Sequence, residues 1–185
     1  LNIFVLDSDP AIAAQMLCDK HVVKMILESA QLLSTTHRFL DGNEYIDYSK
    51  NGRRIKRWDH PEAALYKAVM INHPCTIWTR SSWRNYSWLA AHAFVMCKEY
   101  TYRYGKVHSA EPLIDWLRVN YPKDLPRTRL TPFAQAMPDQ YKMPGNAVEA
   151  YRSYYIGEKK RFAKWTKRKT PEWFLTNDTT MVEFP

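Results

Sequence analysis

A chain of 185 residues is long enough to bury a core of its own and suits one domain. Lys and Arg number 27 against 19 Asp and Glu, a net charge of +8 that points to a polyanionic partner, and seven Trp and twelve Tyr add rings able to stack on bases. The five glycines form no GxGxxG or GxxxxGK loop, which argues against a Rossmann or P-loop nucleotide site. No run of 18 apolar residues and no signal-peptide pattern is present. Three cysteines, an odd number, fit buried thiols in a reducing compartment. The expectation is a cytoplasmic monomer that works on DNA, without membrane contact and without a cofactor.

Residues 1–6, LNIFVL, form a strand or an extended arm. Asp9 then serves as N-cap and Pro10 as first helical residue, and the spacing predicts a helix over 10–37. Ile12, Met16, Val23, Ile26, Leu27 and Ala30 make its apolar face, and His21, Lys24, Glu28, Gln31 and Thr35 lie opposite. Residues 41–60 read as a polar loop with Asn51-Gly52 and a basic run, Arg53, Arg54, Lys56 and Arg57. A short helix follows Pro61 and ends before Asn72-His73. A second long helix is expected over 74–104, again with Pro first and Gly last, and it is the central one.

A third helix covers 112–119, and the Pro-rich stretch 120–145 is an ordered loop. Asn146 caps a last helix, with Glu149 three residues on, that runs to Lys167. The aromatic tail, 170–185, docks on the body. No repeat and no credible sheet is visible. The expected fold is all-α: residues 1–185 as a single domain on two long helices, with a C-terminal helix and a Pro-rich loop.

Several constellations can carry chemistry. His21, Lys24 and Glu28 fall within about 60° on one helix face. A carboxylate there can stabilise an oxocarbenium or iminium ion, a His can shuttle protons, and a Lys can form a Schiff base. The plainer alternative is a surface face with a Lys24–Glu28 pair. His73 at a helix N-terminus, with Arg80 and Arg84 one turn apart, suits a phosphate track, or a cap with paired arginines.

The loop LTPFAQAMPDQYK offers Phe133, Gln135, Gln140 and Tyr141 for stacking and reading a base edge, or is only a connection pinned by prolines. The basic segment 159–169, including Lys164 and Lys167 among Phe162 and Trp165, suits nucleic-acid contact. Cys18, His21, His73 and Cys75 hold possible zinc ligands but lack paired CxxC knuckles, so no metal site is expected.

The patterns CDKHVVKM–ESAQLL, NHPC–W, EYTYRYGK–H, LTPFAQAMPD–Y and AYR–YY, spread over most of the chain, resemble small phage-encoded proteins of poorly assigned function. The chain is also similar, more weakly, to pyrimidine-dimer DNA glycosylases of the endonuclease V type. Those are compact all-α enzymes whose first long helix carries a His and, seven residues on, the catalytic Glu, a spacing matched by His21 and Glu28. In that family the N-terminal α-amine attacks the sugar and forms a Schiff base. The arginines that the family carries beside its Glu are not matched here, where Leu27 and Gln31 stand.

The resemblance implies a DNA glycosylase, with or without AP-lyase activity, acting on a damaged or modified pyrimidine. Glu28 is then the catalytic carboxylate and the Leu1 amine or Lys24 the nucleophile. His21 assists, and Arg80, Arg84, Arg103 and His73 assist or hold phosphate. The alternatives are a transferase that modifies pyrimidines in DNA and a non-catalytic DNA-binding accessory protein.

Overall fold

The computed structural model describes residues 1–176. The chain is mostly helical with one two-stranded sheet. The helices are α1 (Pro10–Met16), α2 (Asp19–Asp41), α3 (Pro74–Ser81), α4 (Trp83–Tyr104), α5 (Glu111–Val119), α6 (Ala147–Tyr154) and the short α7 (Glu172–Leu175). The strands are β1 (Asn43–Tyr48) and β2 (Arg54–Asp59). Helix α4 is central and packs on α1, α2, α3 and α5. The first six residues are an extended arm, and Ile3, Phe4, Val5 and Leu6 are buried in the core.

Both long helices expected from the sequence are broken. The first stops at Leu17–Cys18, whose backbone is extended, and α2 then starts in a new register. The carbonyls freed at the end of α1 are all claimed: Arg103 donates to those of Gln15 and Leu17 at 2.9 and 2.8 Å, and Trp165 Nε1 to that of Met16 at 2.8 Å. The face read through an unbroken helix therefore holds only in part. Ile26 and Ala30 are buried as expected, but Ile12, Val23 and Leu27 are 40–43% exposed and Val22 and Met25 are buried in their place.

The second break is at Ser82, whose extended backbone ends α3 and whose hydroxyl caps α4 through the Asn85 amide. The Asn85 side chain donates to the Trp78 carbonyl at 2.8 Å and binds Thr131 in both directions, so the ends of both helices are satisfied.

Where a loop was expected over 41–60, β1 and β2 pair antiparallel, Asn43 with Asp59 through Tyr48 with Arg54. The turn closes with Gly52 at φ +74°, and its amide donates to the Ser49 carbonyl. The strands lack a clean apolar alternation. Diagonal ion pairs join them instead, Lys56 to Glu44 at 3.0 Å and Arg57 to Asp47 at 2.5 Å. The helix expected after Pro61 is absent. That segment is held as irregular chain by Arg38, which donates to the carbonyls of Trp58, Leu65 and Tyr66.

Helix α5, the irregular Pro-rich stretch and the Asn146 cap, which accepts from the Glu149 amide, match their sequence reading. The stretch does wind into one 3-10 turn at Asp139–Tyr141. The last long helix ends early, passing from α6 into a π-helical turn over Tyr155–Lys159 and then into turns. In the tail, Phe174 packs on Trp165 and Trp173 on Tyr155. Residues 177–185 of the expected tail lie outside the described residues.

A Cβ at Gly42, where α2 meets the hairpin, would come within 2.5 Å of the backbone oxygens of Arg38 and Asp59. Neither oxygen can retreat without breaking the junction. Gly42→Ala is expected to cost about 1–3 kcal/mol, measured by denaturant unfolding; an unchanged midpoint would refute the contact.

Two buried histidines give a second expectation. Burial, reinforced by Lys159, Lys24 and Lys20, lowers the pKa of His21 to about 3. Burial lowers that of His92, bonded to the Pro10 carbonyl at 2.9 Å, to about 4. Below about pH 6.5 the unfolded chain protonates both while the folded one does not, so stability falls on acidification down to about pH 4. Each contributes roughly 1.4 kcal/mol per pH unit in that window. His92→Gln should flatten the slope of stability against pH by one histidine's share.

Candidate active site

The arm, α2, the start of α3 and the Pro-rich stretch converge at the first two residues. The Asn2 amide donates to Glu28 Oε2 at 3.0 Å. Asn2 Oδ1 accepts from the Ile3 amide at 2.8 Å and lies 2.9 Å from the Tyr151 hydroxyl of α6 and 3.8 Å from the Cys75 thiol. Its Nδ2 donates to the Ala136 carbonyl at 2.8 Å. The Tyr151 hydroxyl accepts from the Ala136 amide at 3.1 Å and lies 2.9 Å from the Ala134 carbonyl. Residue 2 is thus held from four directions, one of them Glu28. The positive α-amine of Leu1 helps lower the pKa of His73, whose main depressor is burial, while Glu28 opposes it, so all three groups share one field.

Glu28 is mostly buried, its side chain 13% exposed, and Lys24 leans on it from solvent at 3.8 Å with its own side chain 67% exposed. This carboxylate therefore has a backbone N–H on one side and an ammonium on another. His73 caps α3, its Nδ1 accepting from the Cys75 amide at 3.1 Å.

His21 does not join this group as a proton shuttle. It is buried, stacked on Phe4 at 4.2 Å, with Nδ1 2.5 Å from the Tyr155 hydroxyl. With its pKa lowered to about 3 it is neutral near physiological pH, and its contact with Phe4 steadies the arm. The face shared by His21, Lys24 and Glu28 is thus split between core and surface.

The expected nucleic-acid residues scatter. Arg103 is buried, clamped between Glu99 at 3.2 Å and Asp19 at 3.0 Å, and meets no phosphate there. Arg80 donates to the Ile71 carbonyl and covers the Phe39 ring. Phe133 packs between Trp78 and Trp88. Gln135 is spent on the Met143 backbone, donating at 2.7 Å and accepting at 2.8 Å. Tyr141 donates to Glu158, and Lys167 donates to the Tyr102 carbonyl while remaining exposed.

Arg84, Gln140 and Lys164 are exposed. A groove lined by Arg53, Arg54, Lys56, Ile71 and Asn72 runs from the hairpin to the edge of the His73 cap. Cys18 faces Tyr155, and burial raises its thiol pKa; burial pushes Cys75 up to about 11. Both are poor thiolates. Asn2, Tyr151 and the carbonyls of Ala134 and Ala136 were not legible as site residues. Their roles depend on contacts across most of the chain, and no local spacing announces them.

No helix among the described residues is long and apolar enough to cross a membrane. No curated protein and no solved structure matches the chain. Residues 1–112 match the family described as pyrimidine dimer DNA glycosylase. That span holds the arm, Glu28 and His73, the groups that converge on the terminus, and covers more than half of the sequence: the chain belongs to the pyrimidine dimer DNA glycosylase family.

Proposed function

We propose that this protein is a DNA glycosylase that removes a damaged pyrimidine through the α-amine of Leu1 and then opens the abasic strand as a lyase. The observation that carries the reading is the 3.0 Å hydrogen bond from the Asn2 amide to Glu28, which ties the carboxylate to the residue next to the amine. The amine nitrogen attacks C1′ of the deoxyribose, the C1′–N1 bond breaks, and the base leaves with the electron pair. The amine then loses its proton, and opening of the sugar ring at O4′ forms an imine. Loss of a C2′ proton expels the 3′-phosphate, and water hydrolyses the imine to free the amine.

Glu28 stabilises the positive charge that builds at C1′ and at the iminium nitrogen. A preorganised carboxylate beside a developing cation gains from its limited exposure to water. Lys24 serves as a phosphate or electrostatic contact, exposed to solvent and 3.8 Å from the Glu28 carboxylate. Arg84, Gln140, Lys164 and Lys167 with the basic hairpin groove supply the phosphate surface, and the target nucleotide is flipped toward Glu28. The protein acts in the cytoplasm as a monomer.

Glu28→Gln keeps an oxygen for the Asn2 amide and removes the charge. Base release should fall by about two to three orders of magnitude, with circular dichroism unchanged. A folded Glu28→Gln protein with full activity on ultraviolet-damaged DNA would remove Glu28 from the mechanism.

Borohydride added during reaction should trap a protein–DNA adduct that peptide mapping places at residue 1. One extra residue before Leu1 should abolish the adduct while leaving DNA binding intact. An adduct on Lys24 would reverse the assignment, and base release with no adduct would point to water as nucleophile. Mass spectrometry showing base gain instead of release would favour the transferase reading.

A further inference from the structure

At the end of α2 remote from Glu28, His37 and Asp41 stand one turn apart, and His60 follows the last residue of β2. One ligand atom from each lies within 4.8 Å of the other two. Hydrogen bonds orient His37 and Asp41 and leave each a ligand atom. His37 Nε2 is 3.0 Å from both the Tyr86 hydroxyl and the Asn120 carbonyl, which leaves Nδ1. His60 Nδ1 accepts from the Glu62 amide at 2.9 Å, which puts the ring proton on Nε2, so binding a metal requires His60 to release that amide. The two Asp41 oxygens accept from the amides of Lys123 and Asp124 at 2.7 and 3.1 Å, and each keeps a second lone pair.

An imidazole whose other nitrogen is fixed by a backbone carbonyl is how proteins usually orient a metal ligand. The competing cation, Arg38, has its guanidinium committed to three backbone carbonyls.

We propose that His37, Asp41 and His60 form a zinc-class divalent metal site with a fourth position taken by water. Two imidazoles and one carboxylate suit zinc, whereas magnesium and calcium prefer all-oxygen sets. Zinc bonds of about 2.0–2.2 Å put neighbouring ligand atoms roughly 3.4 Å apart. His60, half-buried just beyond the strand, can close the remaining distance by side-chain rotation. The bound ion would pin the hairpin and the 120–124 turn onto α2, so its role is structural. The site stands apart from Glu28 and does not depend on the glycosylase reading.

The test is titration of the metal-stripped protein with zinc against a chromophoric chelator, with cobalt as spectroscopic probe and X-ray absorption of the zinc form. One equivalent should bind, with nitrogen and oxygen neighbours and no sulfur. The thermal midpoint should rise by about 5–10 °C at hundredfold excess over Kd. His60→Ala and Asp41→Asn, each checked for fold by circular dichroism, should lose at least tenfold in affinity. Asp41→Asn keeps an oxygen for one of the 123–124 amides and loses the other bond, so His60→Ala, which touches neither amide, is the cleaner variant. Absence of stoichiometric binding, sulfur in the first coordination sphere, or unchanged affinity in a folded variant of either kind would overturn the site.

Discussion

The architecture depends on a buried guanidinium. Arg103, near the end of α4, donates to two carbonyls freed where α1 stops and sits between the carboxylates of Asp19 and Glu99. Arg168 adds a second cation to Glu99 at 2.8 Å, so the network links the helical body to the basic C-terminal segment. A buried charge is costly unless every donor is used, and here each nitrogen has an oxygen. The network makes the break between α1 and α2 a satisfied structure instead of a frayed one. That break sets the rotation of α2, which carries Glu28 to the arm and His21 into the core.

Local signals in the sequence were followed where they are local. The Asp9 cap with Pro10, the Gly105 stop, the Asn146 cap and α5 all appear as read, because capping chemistry involves neighbours only. Helix breaks were not legible. Leu17-Cys18 contains no breaker, and its extended backbone is stabilised by Arg103, Trp165 and Tyr155 from far along the chain. The hairpin was missed for a related reason. Its strands are joined by diagonal ion pairs, which leave no alternating apolar pattern to read.

Glu28 and the terminus were legible as a pair only through family resemblance. Arg103 was expected to assist or hold phosphate, whereas its burial between Asp19 and Glu99 is a tertiary fact that no local pattern shows. The family match ends at residue 112, yet Tyr151 and the Ala134–Ala136 strip that grip Asn2 lie beyond it. The later part of the chain thus fixes the arm beside Glu28. The Pro-rich stretch, read either as a reader of bases or as a connection pinned by prolines, also braces the arm through the Ala136 carbonyl.

The gripping of Asn2 also bears on the order in which the fold closes. Its side chain is held by Ala136 and Tyr151, more than 130 positions along the chain, so these bonds form only when distant segments have come together. Contacts of such long sequence separation close late and slowly. The backbone N–H that Glu28 receives from Asn2 is therefore set in place late, by topology and not by any local signal.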